Sequence, residues 1–176
     1  RRNIFIFLAL FILMNALILP WAGGRIEAYS GGIGPIDLEF WYTPERVYEM
    51  IAAYGEQGRS FYLIFELIGD TAYPLIYGGL FALLITFLLQ RNFSPESGVQ
   101  KLHLLPVAVV LVDFLENVCI MIMLAAYPTQ LTAVAQAATL FTALKWLLFA
   151  ATVAATLFAL IMWGIRRFSP VGSIAH

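Results

Sequence analysis

Four long apolar runs, separated by short polar connections, constrain this chain more than any other feature. They cover roughly Ile4–Trp21, Ser60–Gln90, Leu104–Tyr127 and Leu131–Trp163. A bilayer core is spanned by about 20 apolar helical residues, and each run is long enough. Backbone groups inside lipid must pair internally, which leaves helices as the structure for such runs. Hydrophobic residues make up 61% of the 176-residue chain and charged residues 12%. Soluble domains hold roughly 45–50% and 25%, and one this size could not hide the excess. The expected fold is all-α: a single four-helix transmembrane bundle spanning residues 1–176.

The chain opens with Arg1-Arg2, and the apolar stretch Ile4–Leu19 has the cast of a secretory signal. It exceeds the roughly 7–15 residues of a signal core, so a retained first helix is expected. That helix is expected to end near Trp21, at Pro20 and the Gly23-Gly24 pair. The second run is too long for a simple span and is broken by Pro74. Pro106 falls in the first turn of the third, and the fourth projects beyond the bilayer or tilts.

Charge in the connections sets an expected orientation. Arg1, Arg2, Arg91, Lys101, Arg166 and Arg167 lie on one side, opposed by Glu96 alone. The loop 22–59 on the other side carries six acids against Arg25, Arg46 and Arg59. The positive-inside rule places both termini in the cytoplasm, with a bacterial-type inner (plasma) membrane as the expected location. Within the loop, Thr43-Pro44 reads as an N-cap followed by proline at the first helical position. Val47, Ile51 and Tyr54 then recur on one face, and Gly55 is a stop. This predicts a short amphipathic helix over Pro44–Tyr54, on the membrane surface or capping the bundle. Phe40, Trp41 and Tyr42 read as interfacial anchors.

Composition excludes several chemistries. One cysteine, Cys119, permits no intrachain disulfide or thiol pair. Two histidines, His103 and His176, cannot supply a bis-histidine haem or a His-rich metal site. Cys119 reads as a small buried apolar residue and His103 as an edge residue. With net charge −1 and no basic cluster, nucleic acid is not an expected partner. No cofactor or metal ligand set is apparent. The expected partners are membrane lipids and other membrane protein subunits.

Glu66, Asp70, Asp113, Glu116 and Lys145 fall within or at the edges of the apolar runs. An Asp or Lys at a helix centre costs at least about 2.5–3.5 kcal/mol in hydrocarbon, so these side chains are expected to face the interior. Spacing agrees: Glu66 and Asp70 share a helix face with Tyr62, Tyr73 and Tyr77, and Asp113, Glu116 and Asn117 share another. Thr142, Lys145, Thr152 and Thr156 form a polar stripe, and Asn15 is the lone polar residue of the first run. Counted from the charged ends at about 1.5 Å per residue, Asp113 is deepest. Asn15, Glu116 and Asn117 come next, then Asp70 with Lys145, then Glu66.

Three functions fit this ladder. The leading expectation is a non-catalytic accessory subunit of a larger membrane complex, in which Lys145 pairs with Asp70 or Glu116 and the ladder fixes helix register. Ala150, Ala151, Ala154, Ala155 and Ala159 then form a helix-packing face. The first alternative is a small transporter or ligand-binding protein that uses the acids, with Tyr73 and Asn15, as a cavity for a proton, cation, or cationic or lipid ligand. The second is an intramembrane lipid-modifying enzyme working by carboxyl acid–base chemistry.

Overall fold

A computed structural model describes residues 2–168; Arg1 and His176 lie outside them. All regular structure among the described residues is helical. Four helices are long and apolar enough to cross a membrane: α1 (Arg2–Ser30), α3 (Gly55–Asn92), α4 (Gly98–Ala126) and α5 (Thr132–Phe168). Between α1 and α3 lies the short helix α2 (Pro44–Ala53).

The first two long helices run further than their prolines and glycines suggest. α1 does not stop near Trp21. Pro20 has no N–H to donate, but the backbone widens just before it into a π-turn, Met14–Ile18. There the Leu19 N–H reaches the Met14 carbonyl, an adjustment by which apolar helices pass a proline. α1 ends instead at Ser30, where Gly31 and Gly32 adopt φ of 73° and 111°. The Gly32 N–H closes the end on the Glu27 carbonyl at 2.9 Å. Residues 22–30 of the expected outer loop are therefore helical. α3 likewise starts at Gly55 rather than Ser60 and continues unbroken past Pro74, again after a π-turn, Glu66–Asp70. α4 opens with a 3-10 stretch, Gly98–Leu104, before its α-helical part, which has Pro106 in its first turn.

α2 forms almost where the sequence places it. The Thr43 hydroxyl accepts the Arg46 N–H at 3.2 Å, satisfying one of the free amides of the first turn. Val47, Tyr48, Met50 and Ile51 are buried. They pack with Ile26, Ile36, Ile120, Met123, Ala135 and Ala138, so α2 caps the bundle. The Tyr54 hydroxyl donates to the Gly34 carbonyl at 2.8 Å, and burial pushes its pKa up. Tyr42 is not an interfacial anchor. It is 3% exposed, its N–H donates to Thr139 Oγ1 at 3.1 Å, and burial raises its pKa too. Phe40 and Trp41 do stand exposed.

α3, α4 and α5 pack against one another, and α1 lies along α3 at the edge. A second apolar cluster, Ile85, Leu88, Leu89 and Ala159, closes the far end. There Asn92 Nδ2 donates to the Ala159 carbonyl at 2.9 Å, and the Arg166 guanidinium donates to the Asn92 carbonyl. Gly78 and Gly79 are among the small residues that let side chains of neighbouring helices seat against α3. A Cβ at Gly78 would strike Val110 of α4, and one at Gly79 would strike Phe7 of α1. The alanine row of α5 is instead divided: Ala150, Ala151 and Ala154 are exposed, Ala155 is half-buried, and Ala159 is in the far cluster.

Overpacking a close contact costs about 1–3 kcal/mol. Gly78→Leu should lower unfolding stability in detergent by that amount. Gly24→Leu, where no atom lies within 4 Å, should not. Equal stabilities for the two variants would contradict the α3–α4 packing described.

Candidate functional site

Between the two apolar clusters lies a polar layer, and beside it a cavity of about 400 Å³, within the usual size range of small-molecule sites. Along α3, Tyr62, Glu66, Asp70, Tyr73 and Tyr77 all line it, as their shared helix face requires. α1 contributes Phe11, Asn15, Leu19, Gly23 and Ile26, and α4 contributes Asp113. Lys145, Trp146 and Phe149 line the α5 side, and Pro35, Asp37 and Leu38 come from the loop before α2.

Lys145 organises half of the layer. Its Nζ lies 2.6 Å from Glu116 Oε2, 3.6 Å from Asp113 Oδ1 and 4.0 Å from Asp37 Oδ2. Of the two partners expected for it, Glu116 is the one it contacts. The other carboxylate oxygens are also held. Tyr77 donates to Asp113 Oδ2 at 2.7 Å, and Thr142 donates to Glu116 Oε1 at 2.6 Å. Tyr62 donates to Asp37 Oδ1 at 3.1 Å and accepts the Ile36 N–H at 2.9 Å. Trp146 Nε1 donates to the Asp37 carbonyl at 3.2 Å. Charge-assisted hydrogen bonds of this kind are what make buried carboxylates tolerable.

The other half is not satisfied in this way. Glu66 is fully buried, and neither carboxylate oxygen has a hydrogen-bond partner among the described residues. The Asp70 carboxylate, one turn on and 8% exposed, makes no ion pair among them. Five acids thus line or flank the cavity with one ammonium between them. No group of three or more His, Cys, Asp or Glu among the described residues is arranged to hold a metal ion.

Asn117 of α4 and the Asp70–Pro74 turn of α3 interlock. Pro74 has no N–H for the carbonyl four residues back, which is that of Asp70. Asn117 Nδ2 donates to that carbonyl at 2.9 Å. Asn117 therefore replaces the missing backbone donor and locks α4 to the bend in α3. In the π-turn of α1, Asn15 Nδ2 donates to the Phe11 carbonyl at 2.8 Å, and Asn15 Oδ1 accepts the Tyr73 hydroxyl at 3.1 Å, which ties α1 to α3. Both π-turns thus border the cavity.

Other residues singled out in the sequence lie outside the cavity. Thr152 and Thr156 donate to the carbonyls of Leu148 and Thr152, within their own helix. Cys119 packs against the capped-end cluster, and His103 is exposed beside the Gln100 carbonyl. Asp37 and Trp146 are site residues that sequence reasoning missed. Asp37 reads as one of the loop charges, and its neighbours give no consistent sign of burial, since Ile36 is buried and Leu38 is 63% exposed. Comparison with family models, with curated proteins and with solved structures yields no match.

Two stability tests follow from this geometry. Asn117→Ala should cost about 1–3 kcal/mol, the penalty for a buried carbonyl left unpaired. In a Pro74→Ala background, where the backbone N–H returns, the same change should cost distinctly less; an unaltered cost would break the link between the two residues. Lys145→Met should cost about 3–5 kcal/mol by leaving buried acids uncompensated. Adding Glu116→Gln should recover part of that loss, and a purely additive double variant would contradict the pairing.

Proposed function

We propose that this chain is a membrane-embedded binding protein whose cavity holds a small molecule presenting positive charge or hydrogen-bond donors. One observation carries the reading: a fully buried carboxylate, Glu66, lines a cavity and has no hydrogen-bond partner among the described residues. A buried polar group left unpaired costs several tenths to several kcal/mol, and a ligand donor at Glu66 would remove that cost. The charge balance favours the same ligand class, since Lys145 is already engaged by Glu116, Asp113 and Asp37. With no three-ligand metal arrangement among the described residues, an organic ammonium suits the site better than a divalent ion. Arg2, Arg91, Lys101, Arg166 and Arg167 share one end of the bundle, and the positive-inside rule puts that end in the cytoplasm of a plasma-type membrane.

A second reading, an accessory subunit of a larger membrane complex, draws on the exposed Ala150, Ala151 and Ala154 of α5, small residues of the kind that seat a neighbouring helix. One experiment separates the two: purification in mild detergent followed by native mass spectrometry of whatever accompanies the protein. The binding reading expects a small amine-bearing molecule on wild type that is absent from Glu66→Gln. Wild type that is empty, and that takes up no organic ammonium when offered, would overturn it. A stoichiometric set of larger membrane subunits would favour the accessory reading.

A further inference from the structure

We propose that the cavity is filled sideways from the bilayer, through the seam between α1 and α5, by a single-chain lipid-soluble amine whose head ends on Glu66. The inference rests on the binding reading above and adds the route and the ligand class. α1 packs along α3 but forms no extended interface with α5. The cavity's walls are drawn from both sides of that seam, Phe11, Asn15 and Leu19 from α1 and Phe149 from α5. Its lining also runs from an exposed residue to a fully buried one: Asn15 is on the surface and Glu66 is 0% exposed. Asn15 sits 13 positions after Arg2 in an apolar run, about 20 Å along the helix, so the exposed edge of the cavity is at the depth of lipid chains rather than of water.

At the capped end one lining residue, the apolar Leu38, is also exposed at 63%, but the core beside it is closed. Ile36, Ile51, Tyr54 and Tyr62 are each at most 1% exposed there, and α2 is packed over them. A ligand arriving through the seam must be soluble in hydrocarbon, because it passes between phenylalanine and leucine side chains. It must also end in donors, because what it meets inside is the unpartnered Glu66 carboxylate with Asp70 one turn away. A chain that carries a primary ammonium meets both conditions, and its tail can remain in the seam among Phe11, Leu19 and Phe149.

Trp146, in the cavity wall, can report the arrival. The full chain carrying Trp21→Phe, Trp41→Phe and Trp163→Phe keeps it as the single tryptophan. In lipid nanodiscs it is titrated with a long-chain primary amine brominated at mid-chain. The methyl ester of the corresponding brominated fatty acid gives the background, and methylammonium added from water gives the head group without the chain. The expected result is saturable quenching by the amine above the ester background, with apparent affinity weakened about tenfold or more in Glu66→Gln. Asn15→Phe, on the exposed flank and clear of the buried acids, should slow the onset of quenching, which tests the route even if Glu66→Gln fails to fold. Protection of Trp146 by methylammonium with no saturable quenching by the amine would overturn the bilayer route and leave the binding reading standing. Failure of both ammonium probes would overturn the two together. Saturable quenching unchanged by Glu66→Gln would overturn the assignment of the head to Glu66, and an onset unchanged by Asn15→Phe would overturn the seam.

Discussion

One ammonium among five carboxyl groups governs the interior of this bundle. Lys145 is buried and reaches three of them, Glu116 and Asp113 from α4 and Asp37 from the loop before α2. A charge in such surroundings is stable only when paired and hydrogen-bonded. The positions of α4, α5 and the loop before α2 are therefore tied to one another through this side chain. The tyrosines and threonine that complete the carboxylate shells, Tyr77, Tyr62 and Thr142, bring α3 and a second contact from α5 into the same network. Once Lys145 is engaged, nothing equivalent remains for Glu66 and Asp70 among the described residues, and the cavity inherits their unmet demand.

The backbone is adapted to the same layer. Two prolines interrupt the hydrogen-bond ladders of α1 and α3, and each is preceded by a π-turn. Such turns gather at functional positions because they free carbonyls and re-aim side chains. Here the freed groups are answered from within the site: Asn117 serves the Asp70 carbonyl, and Thr71 Oγ1 donates to the Glu66 carbonyl at 3.0 Å. The bends that open the cavity and the residues that satisfy them are parts of one arrangement. That is why Asn117, although buried among acids, has a structural duty.

Much of this was legible in the residues. Four spans, the capping helix with its Thr43-Pro44 start, and the inward faces of Glu66, Asp70, Asp113 and Glu116 all follow from periodicity and from the cost of charge in an apolar setting. What was not legible depends on contacts across the chain. Pro20 and Pro74 read as ends or breaks, because a π-turn leaves no local signature that separates it from a stop. Tyr42 read as an interfacial anchor beside Phe40 and Trp41, and only the partner hydroxyls of Thr139 and Thr142 explain its burial. The alanines of α5 outweighed Gly78 and Gly79 as a packing signal, although the glycines are where Val110 of α4 and Phe7 of α1 seat against α3. Asp37 was hidden among five other loop acids, and its place beside Lys145 is set by a turn that sequence spacing does not encode.

On the binding reading, Glu66 is held open for a molecule that is not part of the protein. A crystal structure grown from a lipid mesophase tests it most directly. Non-protein density is expected in the cavity with a donor atom about 3 Å from the Glu66 carboxylate, while Lys145 stays with Glu116. Glu66 turned onto a donor of its own chain, with the cavity collapsed between α1 and α5, would contradict it.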